Sequence, residues 1–135
     1  MVVPSSNQAI RDYYRGCGRA RTGRCPPTVT PRPAEIIQMA ATAHVFARYL
    51  ARPGQEEAVK AVLTALIAPT RRELGCYQCD LLENRIDPRE LCFVERWESD
   101  KAFDEHLEMS YVKSATAQLA DLLETPLDIR RYHIV

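Results

Sequence analysis

No stretch of this sequence is long and apolar enough to cross a bilayer. The longest apolar run, residues 61–68, falls well short of the roughly 20 residues that a membrane-spanning helix needs. The chain also lacks an excess of charge of one sign, because 18 basic residues balance 18 acidic ones. Proteins that bind nucleic acids or anionic membrane surfaces usually carry a strong positive excess. We therefore expect neither a membrane nor a nucleic acid as a partner.

Glycine is scarce, and the sequence contains no glycine-rich phosphate-binding loop. Five glycines are present, and none of them belongs to the Gly-x-Gly-x-x-Gly pattern that binds dinucleotides. The sequence therefore gives no indication of a nicotinamide or flavin, and we expect no cofactor.

The five cysteines do not form a recognisable framework for disulfides or metal. Cys76 and Cys79 have the spacing of a redox or zinc motif, but no second pair with similar spacing accompanies them. Residues 76–82 have the composition of a strand, in which an offset of three places two side chains on opposite faces. We therefore expect no metal site, reduced thiols and a cytoplasmic location.

Residues 1–38 differ in composition from the rest of the chain. They carry six arginines, no lysine, two acidic residues and five prolines, and their apolar residues follow neither a helical nor a strand period. Because such a segment buries little apolar surface, we predict a disordered extension followed by a folded domain over residues 39–135.

Several origins of this extension are compatible with its composition. The absence of an apolar run of about 7–15 residues argues against a secretory signal. A mitochondrial-type transit peptide, an arginine-rich arm for nucleic acid, and mistaken translation upstream of a true start at Met39 remain. We favour Met39 as the start, because it lies just before the first strand pattern.

The rest of the chain alternates between strand and helix patterns. Aromatic and β-branched runs predict strands, and apolar residues at helical spacing predict helices. The predicted order is a strand over 41–50, a helix from Glu56 to Gly75 interrupted at Pro69, strands over 76–84 and 90–97, a helix capped by Ser99 that ends at Leu107, a helix over 110–123, and a strand over 127–135. This β-α-β-β-α-β order is the ferredoxin-like α+β pattern with an antiparallel sheet.

The predicted sheet is apolar on both faces. Phe46 alternates with Val45 and Ala47 in the first strand, and Phe93 alternates with Val94 in the third. An antiparallel sheet that is half exposed to solvent would instead alternate apolar and polar residues. Because the helices cover one face, we expect a second copy of the chain to cover the other in a two-fold homodimer.

Four short motifs link the sequence to a known family. They are Arg52-Pro53-Gly54-Gln55, Glu73-Leu74-Gly75-Cys76, Glu95-Arg96-Trp97-Glu98-Ser99 and Glu105-His106-Leu107. In this order and spacing, the motifs resemble the antibiotic biosynthesis monooxygenase superfamily, and specifically its small quinol monooxygenases. The resemblance extends from near Met39 to the C-terminus.

The resemblance implies a dimeric α/β barrel with a pocket between the sheet and the helices of each subunit. Members oxygenate electron-rich aromatics with molecular oxygen, often without flavin, haem or metal. We therefore expect a cofactor-independent monooxygenase that oxidises quinols or related aromatics. A non-oxidative isomerase or a small-ligand-binding member of the superfamily is the alternative. Haem-degrading relatives are disfavoured, because they use an asparagine that the first strand lacks.

The resemblance and side-chain chemistry together select the candidate site residues. His106 is a candidate base for a phenolic proton, and Trp97 offers a flat apolar wall with one N–H donor. Tyr111 stands where the family often has a second histidine, and we include it as the third candidate catalytic residue. The candidate substrate-binding residues are His44, Phe46, Phe93, Phe103 and Arg131.

Structural roles compete with several of these assignments. Trp97 is equally suited to anchor the core, and His106 to be a hydrogen-bonded structural histidine. Arg131 is equally suited to form an ion pair with Glu95. The acidic residues near the second helical region are predicted to be a solvated face without a role in the chemistry: Glu98, Asp100, Asp104, Glu105 and Glu108.

Overall fold

The computed structural model describes residues 42–135 together with Pro33. The rest of the N-terminal extension and Met39 lie outside the described residues, so the predictions made for them remain predictions.

The described residues form a four-stranded antiparallel sheet with helices inserted between its strands. The elements are β1 (Ala43–Leu50), α1 (Glu56–Arg71), β2 (Cys76–Glu83), β3 (Glu90–Trp97), α2 (Asp100–Leu107), α3 (Ser110–Leu119) and β4 (Asp128–Tyr132). The strand order is β2-β3-β1-β4, which is the ferredoxin-like arrangement. The predicted α+β class and element order are confirmed.

Local sequence signals explain where the helices begin. Glu56 and Glu57 lie in the first turn of α1, where acidic side chains favour the helix dipole. Ser99 caps α2, because its hydroxyl accepts a hydrogen bond of 3.2 Å from the N–H of Ala102.

The end of α1 differs from the prediction. The helix continues through Pro69 to Arg71 instead of being interrupted. Proline removes its own N–H only, and just two residues follow it in the helix, so little of the helical hydrogen bonding is lost. The N–H of Glu73 then bonds to the carbonyl of Thr70 at 3.1 Å, and this carries Glu73 past the helix end.

The last helix and the last strand are shorter than predicted. α3 ends at Leu119 instead of residue 123, and β4 covers Asp128–Tyr132 instead of residues 127–135. Beyond α3 the chain pairs with the end of β1, through a bridge between Leu123 and Ala51. This pairing satisfies backbone groups that would otherwise have continued the helix.

The inner face of the sheet, which the helices cover, carries the core. The side chains of β1 at Val45 and Ala47 and those of β3 at Leu91, Phe93 and Trp97 are all buried. They pack against buried apolar residues of the three helices: Val59, Leu63, Phe103, Val112, Ala115 and Leu119.

The outer face, which no described helix covers, mixes apolar and charged side chains. Phe46 and Tyr132 pack edge to face at 5.4 Å on this side, and Val94 is half-buried beside Phe46. Arg48 lies on the same face and forms ion pairs with Glu90 and Asp128. The outer face is therefore less uniformly apolar than the sequence pattern suggested.

Cys76 and Cys79 lie on the same face of the sheet, and the prediction of opposite faces is wrong. The register of β2 against β3 shifts between Cys76 and Gln78, so that Cys76 pairs with Trp97 and Cys79 with Glu95. A bulge adds one residue and reverses the alternation of side chains. Both thiols are free and pack against the core. Burial raises the pKa of Cys76 to about 11 and that of Cys79 to about 12.

Two glycines with the same backbone conformation provide a matched test of packing at the start of β2. Gly54 and Gly75 both have φ of 85°, which favours glycine by about 1–2 kcal/mol over other residues. A Cβ at Gly54 meets nothing within 4 Å, whereas a Cβ at Gly75 lies 3.0 Å from the Cβ of Ala102 in α2. We expect Gly75→Ala to lower the free energy of unfolding clearly more than Gly54→Ala in urea titrations. Equal losses would show that the contact with α2 is unimportant.

Candidate active site

His106 is a buried histidine that faces the interior from α2. Its side chain is 8% exposed, and its Nδ1 lies 2.8 Å from Oε1 of Glu73. An ionised carboxylate only accepts hydrogen bonds, so Nδ1 carries the proton in the neutral ring and Nε2 carries the lone pair. The imidazole is therefore held in the tautomer that can act as a base through Nε2.

Glu73 ties three helices together at this point. The hydroxyl of Tyr111, in α3, donates to the same Oε1 that His106 contacts. The hydroxyl of Tyr111 also lies 3.2 Å from Oγ1 of Thr70, which is buried near the end of α1. Burial and the neighbouring Glu73 raise the pKa of Tyr111, which keeps its hydroxyl protonated as a donor. Tyr111 therefore supports the carboxylate that orients His106.

Glu95 is a second buried carboxyl group beside the imidazole. Its Oε2 accepts a hydrogen bond of 2.8 Å from Nε1 of Trp97, and the residue is 5% exposed. Burial raises the pKa of Glu95, although the bond from Trp97 and the nearby His106 oppose the rise. Glu95 therefore stays protonated to a higher pH than an exposed glutamate does.

Aromatic rings enclose His106. The ring of Trp97 is fully buried, with its centroid 4.7 Å from that of the imidazole. The ring of Phe103 stacks on the imidazole at 5.8 Å. These rings shield the histidine from water, and His106 also lines the interior cavity described below.

Arg131 contributes to the site through Phe103. Its guanidinium lies 4.8 Å from the centroid of the Phe103 ring and is held by Asp104 at 2.6 Å and Asp100 at 3.4 Å. The alternative in which Arg131 pairs with Glu95 is therefore wrong, because its guanidinium is turned to Asp100 and Asp104. Asp100 and Asp104 are exposed, as predicted for the acidic face, and in addition pair with Arg131.

A small cavity lies between the sheet and the helices next to these groups. It has a volume of about 40 Å³ and is lined on one side by Phe93, Glu95, Phe103 and His106. Such a volume holds water but not an aromatic ring, because ligand pockets usually measure about 300–1,000 Å³. A wider cleft of about 390 Å³ adjoins it and shares four of its lining residues: Tyr49, Thr116, Leu119 and Leu127.

The structure brings together some of the predicted site residues and separates others. His106, Phe93 and Phe103 line the cavity, and Trp97 and Arg131 contact its walls. Tyr111 reaches Glu73 and does not line the cavity. His44 and Phe46 point to the outer face, where they pair across the strands with Arg96 and Val94 and lie on the opposite side of the sheet from His106.

Glu73 and Glu95 are the site residues that the sequence reasoning missed. Glu95 could have been found from the sequence. It alternates in step with Phe93 and Trp97 in β3, so its side chain points to the same buried face, where an acid is unusual. Glu73 carried no comparable signal, since it is 33 residues from His106 and meets it only in the folded chain.

Two further observations concern ligands and membranes. Among the residues that the structure describes, no group of three histidine, cysteine or acidic side chains is arranged to hold a metal ion. Over the same residues, no helix has the length and apolar character needed to cross a membrane.

Comparison with known proteins shows which family this ferredoxin-like domain belongs to. The family described as "Antibiotic biosynthesis monooxygenase" matches residues 42–118. The chain is 40% identical over 85 residues to "Putative monooxygenase Rv0793" of Mycobacterium tuberculosis, which covers 63% of this chain and 83% of that protein. The chain therefore belongs to the antibiotic biosynthesis monooxygenase family.

Solved structures agree with this assignment. The structure of Rv0793 superimposes with a TM-score of 0.66 at 36% identity, covering 70% of this chain and 95% of that one. PA3566 from Pseudomonas aeruginosa superimposes with a TM-score of 0.67 at 30% identity, covering 72% of this chain and 97% of that one.

The buried Glu95 gives a pH-dependent prediction. Because its pKa is raised above the ordinary value of 4.5, the folded state binds more protons than the unfolded state above that pH, and stability falls as the pH rises. Glu95→Gln keeps an oxygen for Trp97 but removes the ionisation. We expect the variant to gain stability relative to wild type between pH 4 and pH 8 in urea titrations. Glu98→Gln, at an exposed acid of the same strand end, should show no such trend, and a parallel trend in both variants would contradict the assignment.

Proposed function

We propose that this protein is a cofactor-independent monooxygenase that oxidises quinols or related electron-rich aromatics with molecular oxygen. The observation that carries the proposal is the pairing of Nδ1 of His106 with Glu73 beside an interior cavity walled by Phe93 and Phe103. Family membership supports the monooxygenase class. The three free cysteines among the described residues, Cys76, Cys79 and Cys92, are compatible with the cytoplasmic location that we also propose.

His106 is the catalytic base in this proposal. Its Nε2 accepts a proton from a phenolic hydroxyl of the substrate, and Glu73 stabilises the imidazolium that forms. The apolar rings around it strengthen this electrostatic contact, because they exclude water. A general base of this kind contributes about 10²–10⁴-fold to a rate.

The substrate itself supplies the electrons for the reaction. The phenolate formed by proton loss donates electrons from its ring to oxygen, and a carbon–oxygen bond forms to give a peroxide on the ring carbon next to the phenolate carbon. The peroxide takes up the proton held by His106, the hydrogen on the attacked carbon leaves as a proton, and the O–O bond breaks with release of water. The balance is one quinol and one oxygen molecule to one hydroxyquinone and one water, and no external reductant is needed.

The remaining predicted site residues have supporting roles in this reaction. Trp97 and Tyr111 are positioning residues, since Trp97 packs on the imidazole and holds Glu95, and Tyr111 holds Glu73. Phe93 and Phe103 are candidate contacts of the substrate ring, and Arg131 fixes the ring of Phe103.

The test of the proposal is oxygen uptake by the full chain with a panel of reduced naphthoquinones and no added cofactor. We expect uptake above the rate of autoxidation and a loss of about 10²–10⁴-fold in kcat in His106→Asn, which keeps an N–H for Glu73 but removes the base. His133→Asn, at the other histidine of the C-terminal half, should keep full activity.

Two outcomes would overturn the proposal. Uptake that equals autoxidation in all variants would remove the oxygenase assignment. Binding of the quinols without oxygen consumption would favour the non-oxidative alternative. Circular dichroism of His106→Asn separates loss of the base from loss of the fold.

We further propose that two copies of the chain associate through the outer face of the sheet. Phe46 is 38% exposed there, Leu82 52% and Tyr132 50%. Phe46 lies directly across from the half-buried Val94 and packs against Tyr132, and no described helix covers this apolar patch. Charged groups at one edge of the patch, Arg48 with Glu90 and Asp128, are already paired, so a partner that covered them would leave no charge without a counter-ion.

This association predicts a change of mass on substitution within the patch. We expect wild-type protein to have the mass of a dimer in light scattering at micromolar concentration, and Phe46→Glu to shift it to the mass of a monomer. Leu74→Glu is the matched control, because Leu74 is 97% exposed and lies in the turn before β2, away from the patch. A wild-type protein with the mass of one chain would contradict the proposal.

A further inference from the structure

The wide cleft beside the buried cavity lies at the far end of β1 and α3 from His106. Its volume of about 390 Å³ is in the range of small-molecule sites. Its walls are largely apolar and include Leu119, Leu123, Pro126 and Leu127.

A single layer of side chains separates this cleft from the cavity at His106. Tyr49, Thr116, Leu119 and Leu127 line both spaces. Thr116 is exposed and Leu127 is half-buried in the segment that precedes β4, so neither belongs to the fully packed core. Small movements of these side chains would join the cleft to the cavity, which by itself is too small for an aromatic ring.

The cleft carries an unpaired positive charge. Arg52 lines it, and within residues 42–135 no carboxylate pairs with its guanidinium. The acid in the same cleft, Glu124, is paired at 2.8 Å with Arg89, which also pairs with Asp87 at 3.0 Å. Arg52 is therefore the cation of the cleft whose guanidinium is free to meet a ligand, within otherwise apolar walls.

The distance between the cavity at His106 and the cleft sets the length that a ligand needs to reach both. Glu95, which lines the cavity with His106, pairs across the sheet with Val45, and Tyr49, where the cavity meets the cleft, lies four residues further along β1. At about 3.3 Å per strand residue, this distance is about 13 Å. A ligand that reaches His106 with one ring therefore still extends into the cleft if it has a second ring and a substituent.

We propose that the cleft is the entrance to the site and that Arg52 binds an anionic substituent, such as a carboxylate, at the end of the substrate opposite to the ring that is oxidised. The substrate class is then a fused-ring hydroxyaromatic acid. This inference rests on the proposed function, because it assumes that a substrate ring lies at His106.

The experiment measures binding in the absence of oxygen, so that it does not depend on turnover. The full chain is titrated with a reduced naphthoquinone that carries a carboxylate on the ring that is not oxidised, and with the methyl ester of the same compound. Quenching of Trp97 fluorescence reports binding, since Trp97 packs on His106. We expect Arg52→Gln to raise the Kd of the acid about fivefold, as for an exposed ion pair, and to leave the Kd of the ester unchanged. Arg85→Gln, at an exposed arginine outside the cleft, should change neither.

A second pair of variants tests the entrance itself. Thr116→Trp places a large side chain in the shared wall and should weaken binding of both acid and ester at least tenfold. Ala117→Trp is the matched control on α3, because Ala117 is exposed and lines neither space. Normal binding by Thr116→Trp would overturn the cleft as the entrance.

The outcomes separate this inference from the proposed function. An effect of Arg52→Gln on the acid and ester alike, or on neither, overturns the anion site even if oxygen uptake is normal. Selective loss of acid binding without any oxygen uptake by wild-type protein supports the anion site and overturns the oxygenase.

Discussion

The arrangement around the cavity depends on one carboxylate oxygen. Oε1 of Glu73 accepts from Nδ1 of His106 and from the hydroxyl of Tyr111, and these donors come from two different helices. Glu73 itself follows the end of α1, so the oxygen joins all three helices on the inner side of the sheet. The same contact decides which nitrogen of His106 carries its proton. The position of the proton on His106 and the packing of the three helices therefore depend on the same oxygen atom.

Two carboxyl groups of different character flank the imidazole. Glu73 is held by two donors and is suited to pair with a charged ring, whereas Glu95 is buried with a raised pKa and one donor, Trp97. A protonated Glu95 adds no second negative charge to a small cavity, where such a charge would be costly. The raised pKa of Glu95 thus lowers the cost of placing a second carboxyl group among aromatic and apolar walls.

Much of the fold follows from local signals. The bounds of β3 agree with the alternation from Glu90 to Trp97, and Ser99 correctly marks the start of α2. The errors arise where distant parts of the chain compete: the bridge from Leu123 to Ala51 shortens α3, and the shifted register after Cys76 turns both thiols inward. Neither the bridge nor the register shift produces a periodic pattern of residues, so neither can be recognised in the sequence.

The candidate site was predicted less completely than the fold, for a related reason. The two motifs that contain Trp97 and His106 point to the region of the cavity, and Phe103 lies on the same helix as His106. Alternation shows that His44 and Phe46 share a face, but it does not say which face the helices will cover. The partner of His106 is equally hidden, because the contact with Glu73 forms only when the turn after α1 meets α2.

The bulge in β2 has a consequence for the reactivity of its two cysteines. With pKa values of about 11 and about 12, Cys76 and Cys79 are reactive thiolates in only about one molecule in ten thousand or fewer at neutral pH. Peroxides attack the thiolate form, so these sulfurs resist conversion to sulfenic acid. By turning both cysteines towards the core, the extra residue protects these two sulfurs against oxidation.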